Sequence, residues 1–239
     1  MTTVQPMECI HDGSRLLGVA AIPEGEGPFP AVLVMHSAVG LNDFYKGKAP
    51  KLAELGYLAV ATDMYGADVD ISSEAAYAPL YMHMLEHPEM LRDRIVTWFE
   101  AVSARPDVDS NRIAAIGYCF GGKCALELAR SGAEVKAVAS YHGILPTHAP
   151  ARAGEVKAHV AAFCGRNDPF APLADITALR EELEAAGVTY SLTTYGNVEH
   201  GFTDPHAASH SHAGISYNAI AEKTSWASTI ALLDEVLNP

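Results

Sequence analysis

The chain has 239 residues, 49% of them hydrophobic, and carries 16 Lys and Arg against 29 Asp and Glu, a formal net charge of −13. Such an acidic balance, with no basic cluster anywhere, argues against nucleic acid or an anionic membrane surface as a partner. The length and apolar content suffice for one domain with a sizeable core, and no apolar run approaches the ~20 residues of a membrane span.

Taken in chain order, the sequence opens as a hairpin. Residues 7–10 and 16–20 flank Asp12-Gly13, a two-residue turn signal. A Gly/Pro-rich loop over 23–30 leads to a nearly continuous apolar run at 31–36, the pattern of a parallel strand covered on both faces. A helix is predicted over 44–55 with Gly56 as its stop, then a strand over 57–62. Residues 66–88 crowd Tyr77, Tyr81, Met82, His83, Met84 and His87 into an irregular stretch, expected as a loop and helix start packed over the sheet, with a short substrate-covering flap as the alternative. Beyond it come a helix over 90–104, a strand over 112–116, a helical run from Gly122, and strands at 135–141 and 159–164. A helix over 173–186, a strand over 189–194 and a helix over 217–237 complete the chain. This alternation predicts the α/β class: a mostly parallel central sheet with helices on both faces, N-terminal hairpin strands and no large cap domain. With no internal repeat or low-complexity linker, residues 1–239 read as one domain, and its ligand site belongs at the carboxyl ends of the strands.

The strand-to-helix junction is Gly117-Tyr118-Cys119-Phe120-Gly121-Gly122. It has the spacing of a nucleophile elbow, with cysteine where serine is usual. The glycines suit a sharp turn crowded by neighbouring backbone, and the thiol would lie over a helix N-terminus, where the dipole favours a thiolate. Read alone, Cys119 has a second reading as a buried cysteine of an ordinary βα turn. A cysteine nucleophile needs a base, and the base needs an orienting acid. The chain offers both on loops after later strands: Asp168 in Gly165-Arg166-Asn167-Asp168-Pro169, and His200 in Glu199-His200-Gly201-Phe202. The nucleophile, acid, histidine order is that of α/β-hydrolases. An oxyanion hole would use the N–H of Phe120, after the nucleophile, and that of Ala38, in the turn after the 31–36 strand.

The remaining polar clusters read more simply. Cys9, Cys119, Cys124 and Cys164 show neither zinc spacing nor a disulfide framework. His206, His210 and His212 lack convincing ligand spacing and are expected as solvated loop histidines, with no metal. The first residues lack the basic, apolar and small-residue regions of a signal peptide, so a cytoplasmic, reduced protein is expected.

These segments, together with Asp63-Met64-Tyr65-Gly66 and Val138-Ala139-Ser140-Tyr141-His142-Gly143, resemble the dienelactone hydrolase family of α/β-hydrolases from about residue 31 to 237. The resemblance implies hydrolysis of a small-molecule ester or lactone through a thioester on Cys119, without metal or cofactor. It also implies a substrate pocket drawn from Ser37, Tyr65, Tyr141, His142 and Phe202. Two departures bear on substrate. Well-known members carry a glutamate, which restrains the resting cysteine, where this chain has Ser37, and an arginine shortly after the histidine, where it has Thr203-Asp204-Pro205. A serine cannot take the thiol proton as a carboxylate can. Asp204 would repel an anionic dienelactone, so a neutral ester or lactone is expected unless Arg92 or Arg166 meets a carboxylate. A thioesterase or peptidase using the same three residues, and a non-catalytic α/β scaffold binding a small ligand or protein, are the alternatives.

Overall fold

A single sheet of eight strands organises the chain in the computed structural model, which describes residues 2–207 and 212–238. The elements run β1 (Thr3–His11), β2 (Ser14–Ile22), β3 (Phe29–Met35), α1 (Asp43–Lys46), α2 (Lys48–Ala53), β4 (Leu58–Thr62), α3 (Glu74–Glu86), α4 (Pro88–Ser103) and β5 (Val108–Tyr118). They continue with α5 (Phe120–Arg130), β6 (Ala137–Tyr141), β7 (His159–Gly165), α6 (Leu173–Ala185), β8 (Tyr190–Tyr195) and α7 (Ala219–Leu237). The strand order is β1-β2-β4-β3-β5-β6-β7-β8. The hairpin strands β1 and β2 add antiparallel at the β4 edge, and every pairing from β4 to β8 is parallel. Asp12 and Gly13 both take positive φ in the hairpin turn (48° and 73°), as a type I′ turn requires.

Alternate residues of the central strands feed two separate cores. Leu33 and Met35 of β3 and Ile113 and Ala115 of β5 join α4, α5 and α6 on one face. Val32, Val34, Ala114 and Ile116 join α1, α2 and α7 on the other. Both faces being apolar, the strands read as unbroken hydrophobic runs. The chain passes from β3 to β4 on one side and returns past β3 to β5 on the other, so a topological switch opens a crevice at the carboxyl ends of β3 and β5.

Two segments differ from the sequence expectation. The helix expected over 44–55 is two short ones, α1 and α2, divided at Gly47, and Asn42 caps the first by accepting N–H bonds from Phe44 and Tyr45. The stretch over 66–88 contains a 13-residue helix, α3, despite Pro79 within it. Only Met84 of α3 is buried, so no apolar stripe announced the helix.

Candidate active site

β5 ends at Tyr118 and α5 begins at Phe120, leaving Cys119 as the hinge at φ 54° and ψ −113°. A non-glycine residue in that region costs on the order of 1–3 kcal/mol and persists only where its surroundings enforce it. The enforcement is visible. The Cys119 N–H donates to the Tyr141 carbonyl at 2.9 Å, and the Cys119 carbonyl accepts from the Lys123 N–H at 3.2 Å. A methyl group on Gly117 would overlap the backbone of Gly121, and one on Gly121 would overlap that of Met35 in β3. The flanking glycines therefore let α5 cross β3 and β5 at backbone contact, which fixes the thiol above the sheet.

Asp168 follows β7 and is buried, its Oδ1 accepting N–H bonds from Phe170 (2.8 Å) and Ala171 (3.2 Å). Its Oδ2 lies 2.8 Å from Nδ1 of His200, on the loop after β8. The far side of the imidazole hydrogen-bonds the Cys119 sulfur, which also receives the backbone N–H groups of Ala38 and Phe120. Burial pushes the Cys119 thiol up, but the charge and hydrogen bond of His200, with those two backbone donors, outweigh it and hold the thiol below its ordinary value. Burial likewise pushes His200 down, yet the adjoining thiolate and the Asp168 carboxylate raise it to about 10. Each group thus favours the charged form of the other, the thiolate of Cys119 and the imidazolium of His200.

The turn carrying Ala38 is braced from beneath. Nε2 of His36 accepts the Met64 N–H at 3.0 Å, so Nδ1 carries the ring proton and donates to the Ser37 carbonyl at 2.6 Å. The Tyr65 hydroxyl donates to the Ala38 carbonyl at 2.8 Å. Two consecutive carbonyls are thus held down, and the Ala38 N–H faces the sulfur. Tyr65 is accordingly a brace of this turn. His36, which sequence reasoning passed over, is its counterpart; its position at the carboxyl end of β3 was the available signal.

Of the other residues expected in a pocket, Tyr141 and Phe202 are core. Tyr141 points to the α7 face, stacks on Tyr118 and Phe163 and donates to Thr229 at 2.6 Å. Phe202 is fully buried between His142 and Tyr195. His142 is buried beside the His200 ring, with centroids 4.9 Å apart. The Ser37 hydroxyl accepts from the Val39 N–H at 3.5 Å and lies beside the Tyr45 hydroxyl. Tyr77 and Tyr81, one turn apart on α3, lie close enough for the Cys119 charge to push their hydroxyls up, burial being the larger cause for each. Phe170 packs edge-on against His200 at 4.8 Å while remaining 44% exposed.

Arg92 is committed elsewhere, to Glu127 and the Ala149 carbonyl, and Arg166 is exposed on the loop before Asp168. Asp204 accepts the His206 N–H at 2.8 Å, and its charge bears on Tyr45 and Lys48. His212 pairs with Glu74 at the start of α3, at 2.9 Å, while His210 lies outside the described residues. Among the described residues no three His, Cys, Asp or Glu side chains converge as metal ligands, and no helix is long and apolar enough to cross a membrane.

Residues 16–237 match the model of the dienelactone hydrolase family. A solved structure called m3DLH is 34% identical, with a TM-score of 0.92 and 99% of both chains covered. The dienelactone hydrolase-like promiscuous phosphotriesterase P91, from metagenomic libraries, is also 34% identical, with a TM-score of 0.91 over 98% of both chains. A protein of Synechocystis sp. (strain PCC 6803), provisionally named a carboxymethylenebutenolidase, is 28% identical over 89% of this chain and 88% of its own. With the α/β-hydrolase sheet and these matches together, the chain belongs to the dienelactone hydrolase family of ester and lactone hydrolases.

Proposed function

We propose that the protein hydrolyses neutral carboxylic esters or lactones through a thioester on Cys119. The observation that carries this reading is the His200 ring, bonded to Asp168 on one side and to the Cys119 sulfur on the other. The thiolate attacks the carbonyl carbon, and the developing oxyanion is received by the N–H groups of Ala38 and Phe120. The imidazolium of His200 gives its proton to the departing alkoxide as the C–O bond breaks, leaving a thioester and a neutral imidazole. That imidazole then takes a proton from water, whose oxygen attacks the thioester. Collapse of the second tetrahedral intermediate expels the thiolate, releases the acid and restores the imidazolium at His200.

Ser37 supports His200 as the sole acceptor of the thiol proton, since its hydroxyl lies beside Tyr45 and no carboxylate takes its place. The aromatic surroundings of Tyr77, Tyr81 and Phe170, with Asp204 after the histidine, favour a neutral substrate over an anionic one. Hydrolysis of a panel of neutral esters and lactones, an anionic dienelactone and a neutral aryl phosphotriester (P91 being described as a phosphotriesterase) tests the reading. Turnover of the neutral esters by the wild type and its loss in Cys119→Ala are expected. Undiminished hydrolysis by that variant would refute the covalent mechanism, and a preference for the dienelactone would refute the assignment of charge.

A further inference from the structure

His142 follows β6 with φ 40°, a backbone conformation that costs a side-chain-bearing residue stability. Its ring is 2% exposed and lies nearly perpendicular to that of His200 (4.9 Å, 69°). On the exposed side, Phe170 meets the same imidazole at 4.8 Å and 62°. His200 thus has two rings packed against it, with Asp168 bonded to its Nδ1. Nε2 of His142 is 2.9 Å from Oγ1 of Thr203, itself buried three residues beyond His200. Nδ1 of His142 is buried with no hydrogen-bond partner. A phenylalanine would fill the same space without burying that unpaired nitrogen, so the bond to Thr203 is what the imidazole adds.

Resting on the proposed roles of Cys119, Asp168 and His200, we infer that His142 is a positioning residue: anchored by Thr203, its neutral ring holds the plane of His200 fixed through both half-reactions. His200 changes charge twice per turnover, and each time it must keep the same edge toward the reacting atoms. A neighbour that itself became charged would repel the imidazolium. The titratable groups facing His142 are His200 from the loop after β8, Tyr118 from β5, and Lys48 of α2 at longer range. Burial and the positive charge of His200 push His142 well below its ordinary value, with Lys48 adding to the effect. Only one of its two nitrogens has a partner, which suits an uncharged ring.

The test compares His142→Phe, Thr203→Val and the double variant with the wild type, using an activated aryl ester and mass spectrometry of the acylated Cys119. A misaligned base can cost on the order of 10²-fold. Each single variant is expected to lower kcat at least about tenfold with KM within about twofold, and the double variant to be no slower than the worse single one. Unchanged kcat, a change confined to KM, or additive losses would overturn the assignment. If the wild type itself fails to acylate, the Cys119 mechanism falls and this role falls with it. If wild type and variants acylate and turn over alike, only the role of His142 falls. Nitrogen NMR of the wild type needs no variant: His142 should still be neutral at the ordinary histidine value of ~6.5, and titration there would refute the inference.

Discussion

Just ahead of its first residue α5 carries Cys119 beside the His200 imidazole, and two turns further on its Glu127 is fully buried among cations. Glu127 meets Arg130 at 3.1 Å and Lys123 at 3.7 Å, and Arg92 bonds its other oxygen. Burial pushes the Glu127 carboxyl up, but Arg130, Lys123 and Arg92 prevail and hold it down. The same cations donate to the carbonyls of Leu145, Pro146 and Ala149, tying the loop after β6 to α4 and α5. Both clusters hold charge out of water, yet they serve different ends. A guanidinium does not release its proton, so the Glu127 cluster is permanently charged and mechanically fixed. A thiol and an imidazole exchange theirs readily, so the Cys119 cluster holds the same kind of charge in a form that can be spent on chemistry.

The contrast is open to attack at several points. Asp168→Asn keeps the acceptor for the Phe170 and Ala171 N–H groups while removing the charge behind His200. It should lower kcat by about 10⁴, as loss of a triad carboxylate does elsewhere, with little change in melting temperature by calorimetry. Glu127→Gln should do the reverse. Arg92 would lose its carboxylate while Arg130 keeps its pair with Glu182 at 2.8 Å, so the cost in urea denaturation should be about 3 kcal/mol, the low end for a broken buried pair, while kcat per folded molecule holds. Reaction with iodoacetamide separates the clusters by pH. Only the thiolate reacts, and Cys119 is held low, so its labelling profile should lie at lower pH than that of an ordinary cysteine. An ordinary cysteine near 8.5 would be about 30-fold below its plateau at pH 7, and that result would dissolve the ion pair.

Two tyrosines give the finest comparison. Tyr65→Phe removes the brace on the Ala38 carbonyl and should slow turnover by about five- to tenfold, the worth of about 1 kcal/mol of lost alignment. Tyr141→Phe breaks the bond to Thr229 and should cost about 1 kcal/mol of stability with kcat unchanged. Equal effects on rate would return Tyr141 to the pocket wall.

Local signals carried the sequence reading furthest. Gly117, Gly121 and Gly122 mark a backbone crossing that larger residues would block, and Asp12-Gly13 marks a turn with two positive φ angles, so each is visible within a few residues. What depended on the direction of a side chain past a strand end was not visible. Tyr141 and His142 are consecutive, yet one enters the α7 core and the other, with φ 40°, turns toward His200. Sequence adjacency could not separate them. Helix α3 reads as largely irregular because only Met84 is buried in it while Leu80, Tyr81 and Leu85 pack half-buried against the core, which leaves the apolar periodicity faint. His36 acts through a tautomer fixed by the Met64 N–H, a partner 28 positions away that no local pattern specifies.

The φ of 54° at Cys119 belongs to the turn and not to sulfur, so the same backbone would present a serine hydroxyl in the same place. The resting charge would not follow. A hydroxyl is far too weak an acid to hand its proton to His200 in advance, whereas the thiol is already held below its ordinary value by that imidazole. On the proposed mechanism, exchanging one atom would therefore turn an enzyme that waits with its charges separated into one that must separate them afresh for every molecule of substrate.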